Sequence, residues 1–461
     1  MTIWMPNKAA LPRPAYLSLA EQFARAVEDG HLPPGTRLMP HRKLADALGL
    51  SVQTVSRAYD ELIRRNLVAG EVGRGTYVLP PSSEARQPYL PERPGEVIDL
   101  SILKPVVGQR QVEEFRQGFA WLAENLSASS ALSFRPKAVM PRHWEVAAGW
   151  LRALGIPAVA SGVVISNGVS AALSAAVMGV VPPGGGLAAE SLTHHTIKPL
   201  CNYLGLHLEA IAMDAEGMLP EALDEVAARG ALRAVYLQPN VINPLAHMMG
   251  GARRAELVDV ARRHDLAIIE NDSLNLLLGD RPPALAALAP ERTIYLCGFS
   301  KITFPGLRLA YLHAPARFAV AVANRHLVAH WMATPAMVEL LSYWVEAGKI
   351  AELVSLQMQA LEDRHRIAAE ALGPLMPAVH GRSLHLWLAL PEAWTEEGFV
   401  AAASQRGVAV AAGQAFRISE KGMQAAVRIS LGSTGEDDLR KGLGLLAGLL
   451  SEAPEAPLLT I

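Results

Sequence analysis

At 461 residues the chain has room for two or three domains with sizeable cores, and its 51% hydrophobic and 19% charged residues exclude a disordered polymer. Two cysteines, Cys201 and Cys297, exclude a disulfide framework, and Met1–Ala10 lacks the apolar run of a secretory signal, so a cytoplasmic protein is expected. The net charge of −2 is uneven: residues 1–80 hold 10 Lys+Arg against 7 Asp+Glu, about +3, and the remainder 32 against 37, about −5, so only the front has a basic surplus that permits nucleic-acid binding.

The spacing of Leu17, Leu19, Ala20, Phe23, Ala24 and Val27 predicts a helix over 16–29, ended by His31-Leu32-Pro33-Pro34-Gly35. A short helix is expected at about 41–48. The turn Gly49-Leu50-Ser51 follows, with Ser51 as the cap of a helix that runs to about Arg65. On that helix Val52, Val55, Tyr59 and Leu62 share one face, while Gln53, Ser56, Arg57 and Arg64 lie off it. Two short strands, Leu67-Val68-Ala69 and Thr76-Tyr77-Val78, are joined through Glu71-Val72-Gly73-Arg74-Gly75. Two helices around a glycine turn, then a β-wing, describe an α+β winged helix-turn-helix over residues 1–80. The second helix of such a module enters the major groove by its N-terminal residues. Gln53, Thr54 and Arg57 then reach base edges or phosphates, Arg42 and Ser51 hold phosphates, and Arg74 and Gly75 make a wing tip. The same pattern also suits a winged helix used for protein contacts.

Residues 81–96, rich in Pro, Ser, Glu and Arg, read as a linker. From 97 to 461 apolar strand-like runs alternate with alanine-rich helices, the pattern of an α/β domain on a mainly parallel sheet. Ala158–Val181 carries no charge over a length that could span a bilayer. Ser161-Gly162, Ser166-Asn167-Gly168 and Ser170 interrupt it, so a buried strand, turn and helix is expected and no membrane association. Within it Val163–Ser166 is the strand, Asn167-Gly168 the turn and Ser170–Val180 the helix. Its open N–H groups and dipole make an anion site, unless the turn merely connects. Asn243-Pro244 is either a plain turn or an amide donor. His194 and His195 suggest a metal or a flat stacking surface; no cysteine or carboxylate spacing supports metal, and none is expected. Asp272 ends the apolar run Ala267–Asn271, where α/β folds place ligands; a loop-capping role is the alternative.

The most informative stretch is Cys297-Gly298-Phe299-Ser300-Lys301-Ile302-Thr303-Phe304-Pro305-Gly306-Leu307-Arg308, one lysine in an uncharged run between two strand-like segments. A lysine at a buried strand end is costly unless it is neutral, paired or covalently used. A Schiff base with an aldehyde cofactor suits a desolvated lysine.

Two resemblances follow. Residues 15–79 resemble the GntR-type winged helix through Leu32-Pro33-Pro34-Gly35, Arg42-Lys43-Leu44-Ala45, Thr54-Val55-Ser56-Arg57-Ala58-Tyr59 and Gly73-Arg74-Gly75-Thr76-Tyr77-Val78. That implies a DNA-binding dimer on paired half-sites. Residues 97–450 resemble a fold type I aminotransferase, which implies a large mixed, mainly parallel sheet, a smaller C-terminal α+β part, and pyridoxal 5'-phosphate. By this resemblance Lys301 is the catalytic lysine that forms the Schiff base, Asp272 pairs with the pyridine nitrogen and Asn243 bonds the phenolic oxygen. Val169, Ser170, Ser300 and Arg308 hold the phosphate, His194 stacks on the ring, and Arg428 grips a substrate carboxylate. Three departures each remove a hydrogen bond: Ser273 and Leu274 where a tyrosine is usual, Asn243-Pro244-Leu245-Ala246 for Asn-Pro-Thr-Gly, and Gly298 for a hydroxyl residue. Efficient transamination is therefore not expected. The two halves together resemble MocR-type bacterial transcription regulators. That implies a head-to-tail homodimer on operator DNA whose rear domain senses pyridoxal phosphate, an amine or an amino acid. Two alternatives stand beside it: a working aminotransferase with a DNA-binding head, and a regulator whose rear domain only dimerises and binds no cofactor.

Overall fold

The structure, a computed structural model, describes residues 4–8, 14–28, 31–33, 35–64, 67–71, 75–78, 97–132, 134, 141–419 and 423–452; Arg74 and the expected linker 81–96 lie outside them. The chain divides into two compact units, Met1–Gln87 and Pro88–Ile461.

In the front unit helices Ala15–Glu28, His41–Leu48 and Val52–Arg64 precede an antiparallel hairpin of Val68–Glu71 and Gly75–Val78. Leu19, Phe23, Leu44, Leu48, Val55, Tyr59 and Leu62 form one core. Each large apolar side chain buried there contributes about 1.5–3 kcal/mol. Gly49 ends the second helix at φ 62, a left-handed position that a Cβ disfavours. Ser51 Oγ accepts the Thr54 N–H at 3.0 Å and starts the third helix. Val52 departs from the expected face, being 44% exposed, and Ala58 is buried instead. On a 3.6-residue period the buried stripe centres on Val55, Ala58, Tyr59 and Leu62, which leaves Val52 at its edge beside the open helix start.

The rear unit is built on a seven-stranded sheet. Its spatial order is Val163–Ser166, Ala310–His313, Thr293–Gly298, Ala267–Asn271, Leu232–Leu237, Gly186–Glu190, His207–Ile211. The last five run parallel to one another, and Ala310–His313 is antiparallel to both its neighbours. Both faces of Val163–Ser166, Ala267–Asn271 and Thr293–Gly298 are covered, which is why these strands carry near-continuous apolar runs. On one face Tyr236, Ile269 and Leu296 pack with Ala172, Leu173 and Ala176 of helix Val169–Val180. On the other, Val235 and Ile268 pack with Leu257, and Tyr295 with Cys297 and Tyr311. Which face a side chain at a strand end reaches is then set by the two-residue period. A smaller C-terminal part carries the strands His385–Ala389, Ala426–Ser430 and Ala411–Ala412, backed by helices Lys349–Leu372 and Glu436–Ser451. Among the described residues no helix is long and apolar enough to cross a membrane.

Candidate functional site

The carboxyl ends of the central strands and the start of helix Val169–Val180 enclose a cavity of about 490 Å³. Val169, Ser170, His194, Asn243, Ser300, Lys301 and Arg308 all stand on its wall. Lys301 follows the strand Thr293–Gly298, and its Nζ donates to the Leu103 carbonyl. Burial, then the charges of Arg428, Arg308 and Lys104, pull its ammonium down from the ordinary 10.5 to about 7. Near neutral pH much of Lys301 is therefore the free amine, the form that attacks an aldehyde.

Beside it lie an uncapped helix start and the Arg308 guanidinium. Helix Val169–Val180 begins without a side-chain cap, so its first N–H groups are open. The residue before it, Gly168, sits at φ 83, and a Cβ built there would lie 3.1 Å from Arg308 Nη2. The backbone there calls for glycine, and a Cβ would also press on the end of the Arg308 guanidinium. Arg308 is itself held at φ 49, a conformation uncommon for a side-chain-bearing residue, next to this cluster. A Cβ at Gly298 would meet Val169 Cγ2 at 2.5 Å, so Val169 takes up the room a larger residue would need.

The His194 and His195 rings stack at 4.3 Å with 30° between planes, and His194 Nδ1 lies 2.7 Å from Thr196 Oγ1. Burial, Arg428 and Lys301 hold His194 down to about 3. Burial and the neighbouring His194 drive His195 further the same way. Both rings are neutral faces at physiological pH. Among the described residues no group of three or more His, Cys, Asp or Glu could hold a metal.

Two expected residues stand elsewhere. Arg428 is fully buried behind the wall: it donates to Asn243 Oδ1 at 3.2 Å and to the Ser101 carbonyl at 2.8 Å, and lies over the Phe416 ring. Its guanidinium orients Asn243, leaving the Asn243 amide N–H₂ as a donor, and Arg428 itself is not among the residues that line the cavity. Asp272 is not on the wall either. It is completely buried and accepts from Asn240 Nδ2 at 2.7 Å, Tyr295 OH at 2.8 Å and Arg281 Nη1 at 3.2 Å. Tyr295 belongs to the sheet face away from helix Val169–Val180, and Asp272 shares that side. The residue that reaches the cavity from this strand is Asn271. Strand alternation was the available signal: Glu270 caps the helix Leu285–Leu288 by accepting from the Leu285 and Ala286 N–H groups, and Asp272, two residues on, must share its face.

In the front unit Arg42, Ser51, Gln53 and Arg57 are exposed and Thr54 partly so. They flank the start of helix Val52–Arg64, and the Arg57 guanidinium lies 4.2 Å over the Tyr16 ring, which fixes its direction. Gly75 opens the second wing strand.

The architecture is a winged helix joined to the fold of the type I aminotransferases. The family described as bacterial regulatory proteins, gntR family, matches residues 15–78. The rear unit is similar to a kynurenine aminotransferase of Pyrococcus horikoshii solved in complex with PMP, with TM-score 0.71 and 22% identity, covering 79% of this chain and 93% of that one. Along nearly its whole length the chain is 25% identical to an uncharacterized HTH-type transcriptional regulator, YdeF, of Bacillus subtilis, with 97% of each covered. It is 27% identical to the probable rhizopine catabolism regulatory protein MocR of Rhizobium meliloti, with 66% of each covered. A GntR-type head on an aminotransferase-like body is the MocR-type combination.

Proposed function

We propose that this protein is a cytoplasmic, homodimeric DNA-binding transcription regulator whose rear unit binds pyridoxal 5'-phosphate at Lys301 and responds to the cofactor or to an amine or amino acid. One observation carries the reading: Lys301, Arg308 and the open start of helix Val169–Val180 converge on one cavity, in a chain whose residues 15–78 match the gntR family. When bound, pyridoxal phosphate supplies an aldehyde that condenses reversibly with primary amines. The chain supplies the rest. Arg308 and the helix N–H groups bind the phosphate, with hydroxyl donors from Ser170 and Ser300. Lys301 presents a free amine whose Nζ is steered by the Leu103 carbonyl. His194, neutral and flat, covers a ring face and excludes water. Asn243, oriented by Arg428, donates its amide to the phenolic oxygen.

On the DNA side, Gln53, Thr54 and Arg57 reach the major groove while Arg42 and Ser51 meet phosphates. A second copy of the chain covers the exposed apolar stripe of Val320, Leu327, Val328 and Trp331 along and just after helix Ala316–His330. A ligand at Lys301 shifts the DNA-binding heads only if it binds two arrangements of the dimer unequally. The test is chemical. Protein loaded with pyridoxal phosphate and reduced with borohydride should carry a stable label on Lys301, and Lys301→Ala should carry none. A label spread over surface lysines, or equal in the variant, overturns the reading.

A further inference from the structure

The cavity wall carries Asn271, Asn240, Asn243 and Gln238 but no aspartate or glutamate among the described residues. The charges that act on Lys301 from around the cavity, those of Arg428, Arg308 and Lys104, are all positive. We propose that Asn271 holds the ring nitrogen of bound pyridoxal phosphate unprotonated, so that the cavity captures amines without converting them. This rests on the reading of Lys301 as the cofactor lysine.

Three observations support it. Along the strand Ala267–Asn271 the side chains alternate. Ile269 lies in the core beneath helix Val169–Val180, and Asn271 follows on that side, with its Nδ2 2.8 Å from the Tyr236 hydroxyl. Glu270 and Asp272 face away. Second, Asp272 is not free to swing in. Its oxygens are taken by Asn240, Tyr295 and Arg281, and Asn240 is pinned in turn by Arg254 at 2.6 Å. Third, the Asn271 amide is fixed at both ends, since Ser273 Oγ donates to its Oδ1 at 2.6 Å. With Nδ2 directed to Tyr236, one amide N–H remains to donate to a bare ring nitrogen. A pyridinium would add a positive charge to a cluster of cations and find no carboxylate to balance it.

The consequence for a bound amine is specific. The incoming amine forms its bond to the cofactor's aldehyde carbon as the bond to Lys301 Nζ breaks, and Nζ leaves as a free amine; protons pass between the two nitrogens, and nothing is oxidised or reduced. Conversion then requires loss of the Cα proton, and the electron pair left behind must be drawn into the ring. A protonated ring nitrogen accepts that pair; an unprotonated one does so poorly. The amine is therefore kept.

The experiment is nitrogen NMR of the full-length protein loaded with pyridoxal phosphate labelled with ¹⁵N in the ring. The wild type should give the signal of an unprotonated pyridine at neutral pH. Asn271→Asp should give that of a pyridinium, and should raise release of oxo acids from a mixture of the protein amino acids by about tenfold or more, a barrier change of ~1.4 kcal/mol. A pyridinium signal in the wild type overturns the proposal, as does a signal that responds to Asp272→Asn but not to Asn271→Asp. The wild-type signal decides even if a variant fails to fold. If borohydride fixes no label on Lys301, the cofactor reading fails and this inference with it; a label together with a pyridinium signal sinks the inference alone.

Discussion

Gly168→Ala places a methyl group against Arg308 at the start of helix Val169–Val180. At φ 83 and ψ 172 the backbone is in a region that is essentially glycine's alone. Placing alanine there costs about 1–3 kcal/mol of stability. The new Cβ would also lie 3.1 Å from Arg308 Nη2 and 3.2 Å from its Cζ, tighter than a relaxed contact. The guanidinium must retreat, and a weakened charge-assisted bond to phosphate is worth about 1.5–3 kcal/mol. At ~1.4 kcal/mol per tenfold, that is roughly a 10- to 100-fold loss of affinity for pyridoxal phosphate. The two effects separate by assay. Thermal unfolding of the cofactor-free protein reads the backbone term, and a titration followed by the cofactor's visible absorbance reads the second. If stability falls while affinity stays within about threefold of wild type, Arg308 over Gly168 is not the phosphate clamp.

Other expectations follow from the same geometry. With Lys301 pulled down to about 7, the amine is protonated and unreactive below that pH and free above it. The rate of cofactor attachment should rise through pH 7 and level off; a rate still climbing between pH 8 and 10 contradicts this. Burial raises the Glu190 carboxyl to about 8, so the stability it contributes is full below its unfolded value of 4.5 and is lost as pH climbs towards 8. Glu190→Gln should then gain on wild type in urea melts by roughly a few kcal/mol between pH 5 and 8, and a pH-independent difference would refute the assignment. Ser51→Ala removes the cap at Thr54 and should cost the front unit about 0.5–2 kcal/mol, with weaker DNA binding in step. Unchanged melting and DNA affinity would show the cap to be idle.

Much of this was readable in the chain. The winged helix was legible because its helices are amphipathic and its turns carry glycine or a serine cap, all local signals. Lys301 and Arg308 were legible because a charged residue in an apolar run has few ways to exist there. What misled was the strand Ala267–Asn271, which is buried on both faces and so shows no alternation in its apolar residues. Asp272 stands at the strand's carboxyl end, where α/β folds place ligands, so the sequence singles it out. The two-residue period from Glu270 turns it away, and its contacts with Tyr295 and Arg281 hold it there. Arg428 was similarly opaque: its pairing with Asn243 joins residues on different parts of the rear unit, which no local pattern records. Val52 missed the core by its place at the helix edge, a matter of angle rather than of composition.

The central claim is that chemistry at Lys301 is read out as DNA binding. The measurement that tests it most directly is the binding isotherm of the full-length protein on a fragment of its own promoter, with and without saturating pyridoxal phosphate, for wild type and Lys301→Ala. The cofactor should shift wild-type affinity by about 5- to 150-fold, the usual range of coupling between two sites, and leave the variant unmoved. Isotherms that coincide with and without cofactor in the wild type, or that shift equally in Lys301→Ala, would contradict it.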